Sequence, residues 1–495
     1  MLFNILLSVL VILITYVYAR WLTLRQYWAK RRVPHIPPNP LSGSMTFLFK
    51  ENAAVWFRRI YETYKEPYVG IWIFWRPGLV VNSPDIAKNI LIRDQANFRN
   101  RFATSGTADP LGRLNLFTLN DPLWTVVRKR LTILFTSSKL KGVEKLMIEK
   151  SKELVQRIDK ERQKLTPIDS RNLMTDFTTD IIGTSSFGIV SDATLTGTSE
   201  IKRITQDLMH FDLLRGLAWC SGFFIPELTN FFRLKLFPQH CIDRLRNILL
   251  TMIAQRGGLE NKVTEPRDLL DILIKIKQEN KLDMSENMML AQASVFVQAG
   301  FDTTATALTF VIYELAFNQE VQDKLYNELR EAKDRHGDDI LDHLSQLTYL
   351  NCVISEGLRK YPIIGYLDRI ALEDYKVDDQ LTIKAGTPVY VNLIGIHYDP
   401  EFHPDPNRFN PDRFLPENRS DKSFTFLPFG DGPRKCIGQR FGTSTVRRGL
   451  AAIILNYELR PLPNTPKPTD VKLDEKGLLV VPEEILSVDF VPRKI

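Results

Sequence analysis

The run Phe429-Gly430-Asp431-Gly432-Pro433-Arg434-Lys435-Cys436-Ile437-Gly438 decides how the rest of the chain is read. A lone cysteine in a turn punctuated by glycine and proline, with Arg434 and Lys435 beside it, has the setting of a thiolate at an electropositive loop. The glycines let backbone approach a flat group and aim N–H donors at the sulfur. The basic pair favours the thiolate, and Ile437 to Leu450 reads as a helix whose positive end faces it. Phe429 is placed to shield the sulfur from water. This setting suits an anionic metal ligand.

The spacing F-x-x-G-x-R-x-C-x-G, met by Phe429, Gly432, Arg434, Cys436 and Gly438, resembles the haem-binding signature of the cytochrome P450 family. Further stretches follow in the order that family requires. Ser285 reads as an N-cap with Glu286 in the first turn, and Met288 to Phe317 carries no proline and little charge, which predicts a buried helix of roughly 30 residues. Its centre, Ala299-Gly300-Phe301-Asp302-Thr303-Thr304, breaks the pattern. Glycine there costs about 1 kcal/mol against alanine, and an unpaired buried carboxylate costs more. Such misfits are expected at working sites. The plainer reading is a threonine pair bonded to its own carbonyls and an aspartate capping a neighbour. A-G-x-D-T-T is similar to the family's oxygen-activation motif. That implies Ala299 and Gly300 against the haem, with Gly300 opening a groove for dioxygen, Thr303 hydrogen-bonding it and Asp302 relaying protons to it.

Glu356 and Arg359 share one face of a helix that Pro362 ends, a weak signal alone. Downstream, Phe409-Asn410-Pro411-Asp412-Arg413-Phe414 looks like the family segment whose arginine, here Arg413, completes a buried triad with that pair. The usual acid before this arginine is glutamate, and here it is Asp412. Trp124 and Arg128 match the family's W-x-x-x-R. By position Arg101, Arg369 and Arg434 join Arg128 as candidates to bind the two haem carboxylates. Alternation about Asp378-Asp379 predicts a hairpin between Tyr375 and Ile383, with a further strand near Val389 to Asn392.

The composition narrows the alternatives. The chain has 495 residues and 44% hydrophobic content, with no linker or repeat, which suits one large domain behind a terminal segment. Cys220, Cys241, Cys352 and Cys436 show no paired spacing, which argues against disulfides and structural zinc and for a reducing compartment. The net charge of +7 is small against 65 + 58 = 123 charged side chains, and no nucleic-acid surface is expected. Lys129, Arg130, Lys435, Arg440, Arg447 and Arg448, on the cysteine side of the haem, suggest instead an acidic protein partner. The seven histidines are read as structural or exposed and form no metal cluster. No Walker A or Rossmann fingerprint occurs, so electrons must come from a separate protein.

Leu2 to Ala19 is apolar enough to cross a bilayer, and Arg20, Arg25, Lys30, Arg31 and Arg32 follow it. The expected division is an anchor at 1–22, a basic and proline-rich hinge at 23–40, and a haem-containing catalytic domain at 41–495. The catalytic body would face the cytoplasm from the endoplasmic reticulum membrane.

The expected fold is mainly α with a small β-sheet region, the cytochrome P450 fold, with haem buried between the long helix and the cysteine loop. The resemblance implies a haem-thiolate monooxygenase carrying haem b. It would use O2 and NADPH-derived electrons delivered by NADPH-cytochrome P450 reductase, with cytochrome b5 as a further donor. The substrate would be lipophilic, held by Ala103 to Phe117, Leu208 to Phe237, Phe296 and Ala299, and Ile363 to Leu367. In texture the chain looks most like the insect branch associated with plant toxins and insecticides. The run Leu213 to Phe232 is rich in large apolar side chains and either meets membrane lipid or packs on the body. Two alternatives share the cysteine: a haem-thiolate isomerase or dehydratase acting on a peroxide, and a non-catalytic haem-binding protein.

Overall fold

Ser285 caps the helix that organises the molecule. Its side chain accepts from the Met288 N–H at 3.2 Å and Glu286 sits in the first turn, where the helix dipole favours an acid. The helix runs Glu286–Phe317, 32 residues or about 48 Å. In this computed structural model, which describes residues 2–48, 50–164, 166–210, 212–279, 284–337, 340–418 and 424–493, most of that helix is buried. The Ser170–Phe187 helix crosses it closely. A Cβ at Gly300 would lie 2.5 Å from the Ile182 side chain, so only glycine allows that approach. The Gln439–Asn456 helix, which follows the cysteine loop, packs on another face near Thr304 and Leu308.

Beside this helical body lies a four-stranded sheet in the order β1-β2-β6-β3. β1 (Tyr68–Ile73) pairs antiparallel with β2 (Arg76–Val81), Tyr68 opposite Val81. β2 runs parallel to β6 (Pro388–Val391), and β3 (Leu367–Ile370) lies antiparallel to β6. The predicted hairpin is present as β4 (Tyr375–Lys376) and β5 (Thr382–Ile383), Tyr375 opposite Ile383. A C-terminal pair, β7 (Tyr457–Pro461) and β8 (Val488–Pro492), completes the strands.

The N-terminal helix spans Leu2–Leu24, and its apolar side chains from Phe3 to Tyr18 are mostly exposed, as a membrane-crossing segment requires. Within the stretch expected as a hinge, Trp28 and Val33 are buried. Trp28 Nε1 donates to the Ile71 carbonyl at 3.0 Å, Trp72 Nε1 donates to the Leu24 carbonyl at 3.3 Å, and the two indoles meet edge to face. Gly70 N–H donates to the Pro34 carbonyl and Ile36 N–H to the Gly70 carbonyl, which ties the chain to the edge of β1.

Candidate active site

The cysteine loop is shaped by a backbone that only glycine tolerates. Gly432 has φ +75°, and a Cβ there would lie 2.0 Å from the Leu91 carbonyl oxygen. Gly430 N–H donates to the Leu427 carbonyl and Cys436 N–H to the Phe429 carbonyl, both at 2.9 Å. The Cys436 side chain is exposed although protein surrounds it densely, as befits a group on the wall of an internal space. Burial pushes its thiol up, against the Gly438 N–H and the charges of Arg128, Arg101 and Lys435, which act the other way. The positive loop therefore does not ionise the sulfur by itself, contrary to the simplest sequence argument. A coordinated metal would.

Across from the loop, Ala299 is exposed in the middle of an otherwise buried helix. The Phe135 ring joins the two sides: it lies 5.8 Å from Phe296 by centroids, and a Cβ at Gly438 would be 3.9 Å from its edge. Thr303 Oγ1 donates to the Ala299 carbonyl at 2.6 Å, so the plainer reading describes this hydroxyl as it stands here. Asp302 points toward the Ser170–Phe187 helix, where Arg171 donates to its Oδ1 at 3.0 Å while Oδ2 has no partner. Burial pushes the Asp302 carboxyl up and Arg171 opposes that push. A Cβ at Gly300 would meet Ile182, so its smallness serves the packing of the two helices.

Arginines converge beside the loop. Arg101 forms an ion pair with the buried Asp368 at 2.6 Å and lies over the Phe117 ring. Arg128 donates to the Lys435 carbonyl at 2.6 Å, and the Arg434 guanidinium stacks 4.1 Å over Trp124. Arg434 donates to the Arg99 and Leu119 carbonyls, yet its Nη1 is buried without a partner. Burial, with repulsion from Arg101 and Arg369, pulls Arg434 down to about 8; burial and Arg101 pull Arg369 down to about 9. Arginine stays charged in proteins, so these directions record a crowd of cations that a bound dianion would relieve. A cavity of about 300 Å³ lined by Phe98, Trp124, Arg128, Arg369 and Arg434 opens beside them. The donor set and the orphaned Nη1 fit a haem held by its carboxylates, with Cys436 as the thiolate.

The triad residues meet. Glu356 and Arg359, both fully buried, pair at 2.7 Å, and Arg413 Nε lies 3.1 Å from Glu356 Oε2. Asp412 instead pairs with the exposed Lys324, so the acid before the arginine is no part of the network.

Two expectations need correction. Arg447 and Arg448 are not free surface cations: Arg447 donates to Asn351 at 2.7 Å, and Arg448 is buried beside Glu144. Arg130 pairs with Glu279, which leaves Lys129 as the exposed cation of that stretch. His240 is not isolated either: it lies 3.3 Å from Asp207 and close to Cys241, though Arg244 also holds Asp207, at 3.5 Å. The site contains residues that no motif announced. Asp368 orients Arg101, and its only signal was its place next to Arg369. Arg171 and Ile182, far from the long helix in sequence, gave none.

The family profile described as Cytochrome P450 matches residues 34–488, and the chain belongs to that family. It is a haem-thiolate monooxygenase that carries haem b and uses O2 with electrons derived from NADPH. Among its relatives, cytochrome P450 6l1 of Blattella germanica is 35% identical over 474 residues, covering 94% of this chain and 93% of that protein. Cytochrome P450 6a2 of Drosophila melanogaster is 35% identical over 459 residues, covering 88% of this chain and 89% of that one.

Proposed function

We propose that this enzyme oxidises lipophilic compounds, foreign ones included, at the endoplasmic reticulum membrane with electrons from NADPH-cytochrome P450 reductase. One observation supports the substrate class: in the segments expected to line the substrate space, apolar and aromatic side chains from distant parts of the chain meet one another. Phe117 meets Phe223 at 5.8 Å, Phe224 meets Tyr366 at 5.6 Å, and Phe296 meets Phe135. A surface of this kind selects by shape and desolvation more than by hydrogen bonds. Kinship with insect members of the family agrees with the branch that the sequence resembles.

Haem, when bound, supplies the oxygen-activating iron. Cys436 would hold it on one side, and Arg101, Arg128, Arg369 and Arg434 would hold its carboxylates. Asp302, with one oxygen on Arg171 and the other unpartnered, would carry a proton toward the pocket. Thr303 would turn its hydroxyl from the Ala299 carbonyl toward dioxygen in the pocket. Retention of this pair supports monooxygenation over peroxide rearrangement.

The N-terminal helix supports a membrane anchor, with the body on the cytoplasmic side. Within Leu213 to Phe232 the side chains divide. Phe223 and Phe224 are buried, while Leu213, Leu214, Phe231 and Phe232 are exposed and suited to lipid. Lys129 and Lys435 offer a docking charge for the reductase, and cytochrome b5 could use the same face. The test is product analysis with a panel of lipophilic compounds in reconstituted membranes. Product that requires NADPH and reductase is expected; conversion of a peroxide without either would overturn the reading.

A further inference from the structure

His397 belongs to none of the haem, oxygen or triad motifs, yet it stands between the triad and the cysteine loop. Its backbone carbonyl accepts from Arg359 Nη1 at 2.8 Å, and its Nδ1 meets the Arg359 carbonyl at 3.1 Å. Its Nε2 accepts from the Leu427 N–H at 2.9 Å. These partners fix one neutral tautomer, since a carbonyl can only accept and an amide can only donate: Nδ1 carries the proton and Nε2 does not. The ring is fully buried and stacks on Phe426, and the neighbouring His403 meets the Thr425 carbonyl at 3.0 Å. From Leu427 a ladder of backbone bonds continues into the loop, Gly430 N–H to the Leu427 carbonyl and Cys436 N–H to the Phe429 carbonyl.

We infer that His397 is a positioning residue, transmitting the Glu356, Arg359 and Arg413 network to the cysteine loop by fixing the Leu427 amide through Nε2. The inference rests on the reading of Cys436 as the haem ligand. The physical reason is that a buried N–H without a partner is costly, so losing the acceptor would detach the first rung of the ladder. The Glu356, Arg359 and Arg413 contacts themselves would stay.

The test separates the two ring nitrogens. In the haem-loaded protein, His397→Gln can present its amide oxygen near the Nε2 position and keep the acceptor for Leu427. His397→Asn is too short to do so and keeps only the link to the Arg359 carbonyl. Hydrogen exchange of the peptide containing Leu427 is expected to rise about tenfold in the Asn variant and to stay near the parent in the Gln variant. The thiolate-type band of the ferrous carbon monoxide complex is expected to decay faster in Asn only. If the Asn variant does not accumulate, His397→Leu, which fills the volume without an acceptor, takes its place. Equal exchange in both variants, whether protected or not, would show that the ring merely fills space and would overturn the inference. Cys436→Ser is the separate control: a retained thiolate-type band would sink the ligand reading and leave the exchange result standing.

Discussion

Arg171 holds one oxygen of the buried Asp302 at 3.0 Å and leaves the other without a partner. Burial pushes this carboxyl up and the Arg171 charge opposes the push. Arg171→Gln removes the opposing charge, so the carboxyl should rise further. The acid-side limb of the pH profile for coupled turnover should then move to higher pH. An unmoved profile would show that Asp302 does not titrate in the rate-limiting step.

Thr303→Ala should leave haem and substrate binding intact but divert reducing equivalents to hydrogen peroxide, because dioxygen is bound without its hydroxyl partner. Losses of about 10²-fold in product per NADPH fit the usual worth of general acid–base catalysis. The measurement is the ratio of product to NADPH consumed, and parental coupling would contradict the role.

Glu356→Ala strands Arg359 and Arg413 in a buried site, a loss of ~3–5 kcal/mol when one partner of such a network is removed. Purified protein should fail to retain haem. A stable, haem-replete variant would place the network outside the support of the loop.

How much of this could be read beforehand differs from element to element. The long helix, the Tyr375 to Ile383 hairpin and the strand near Val389 were legible because capping, apolar periodicity and turn residues are local signals. The β1–β2 hairpin was not anticipated, since its turn, Phe74-Trp75, has neither glycine nor asparagine and puts Phe74 at φ +52°. In the site, Cys436 and the arginines stood in spaced motifs. The packing of Gly300 on Ile182 was not legible, because a small residue reads the same whether it faces a ligand or a neighbouring helix. Arg171 and His397 act through contacts distant in sequence, which spacing cannot carry.

Lys129→Glu together with Lys435→Glu should slow reductase-supported turnover, and the effect should shrink with added salt as the Debye length falls below ~8 Å. Peroxide-supported turnover should be spared. Arg447→Glu is excluded from this test because its bond to Asn351 would confound docking with folding.

His397 and His403 predict acid sensitivity. Burial pulls His403 from 6.5 down to about 4 and His397 well below its usual value, while in the unfolded chain both would titrate near 6.5. The unfolded state therefore binds more protons below that pH. Stability is fully present above 6.5 and each residue removes about 1.4 kcal/mol per unit as pH falls from there. Denaturant titrations at pH 7 and 5 should differ accordingly, and a flat response would mean that neither ring stays neutral.

The Trp28 and Trp72 indoles give the N-terminal helix a fixed joint. With that helix in a bilayer, its tilt would become the tilt of the body, and the height of the exposed Leu213, Leu214, Phe231 and Phe232 would be set by a lever rather than a leash. Bilayer thickness, which governs helix tilt, would then bear on how those side chains meet the lipid.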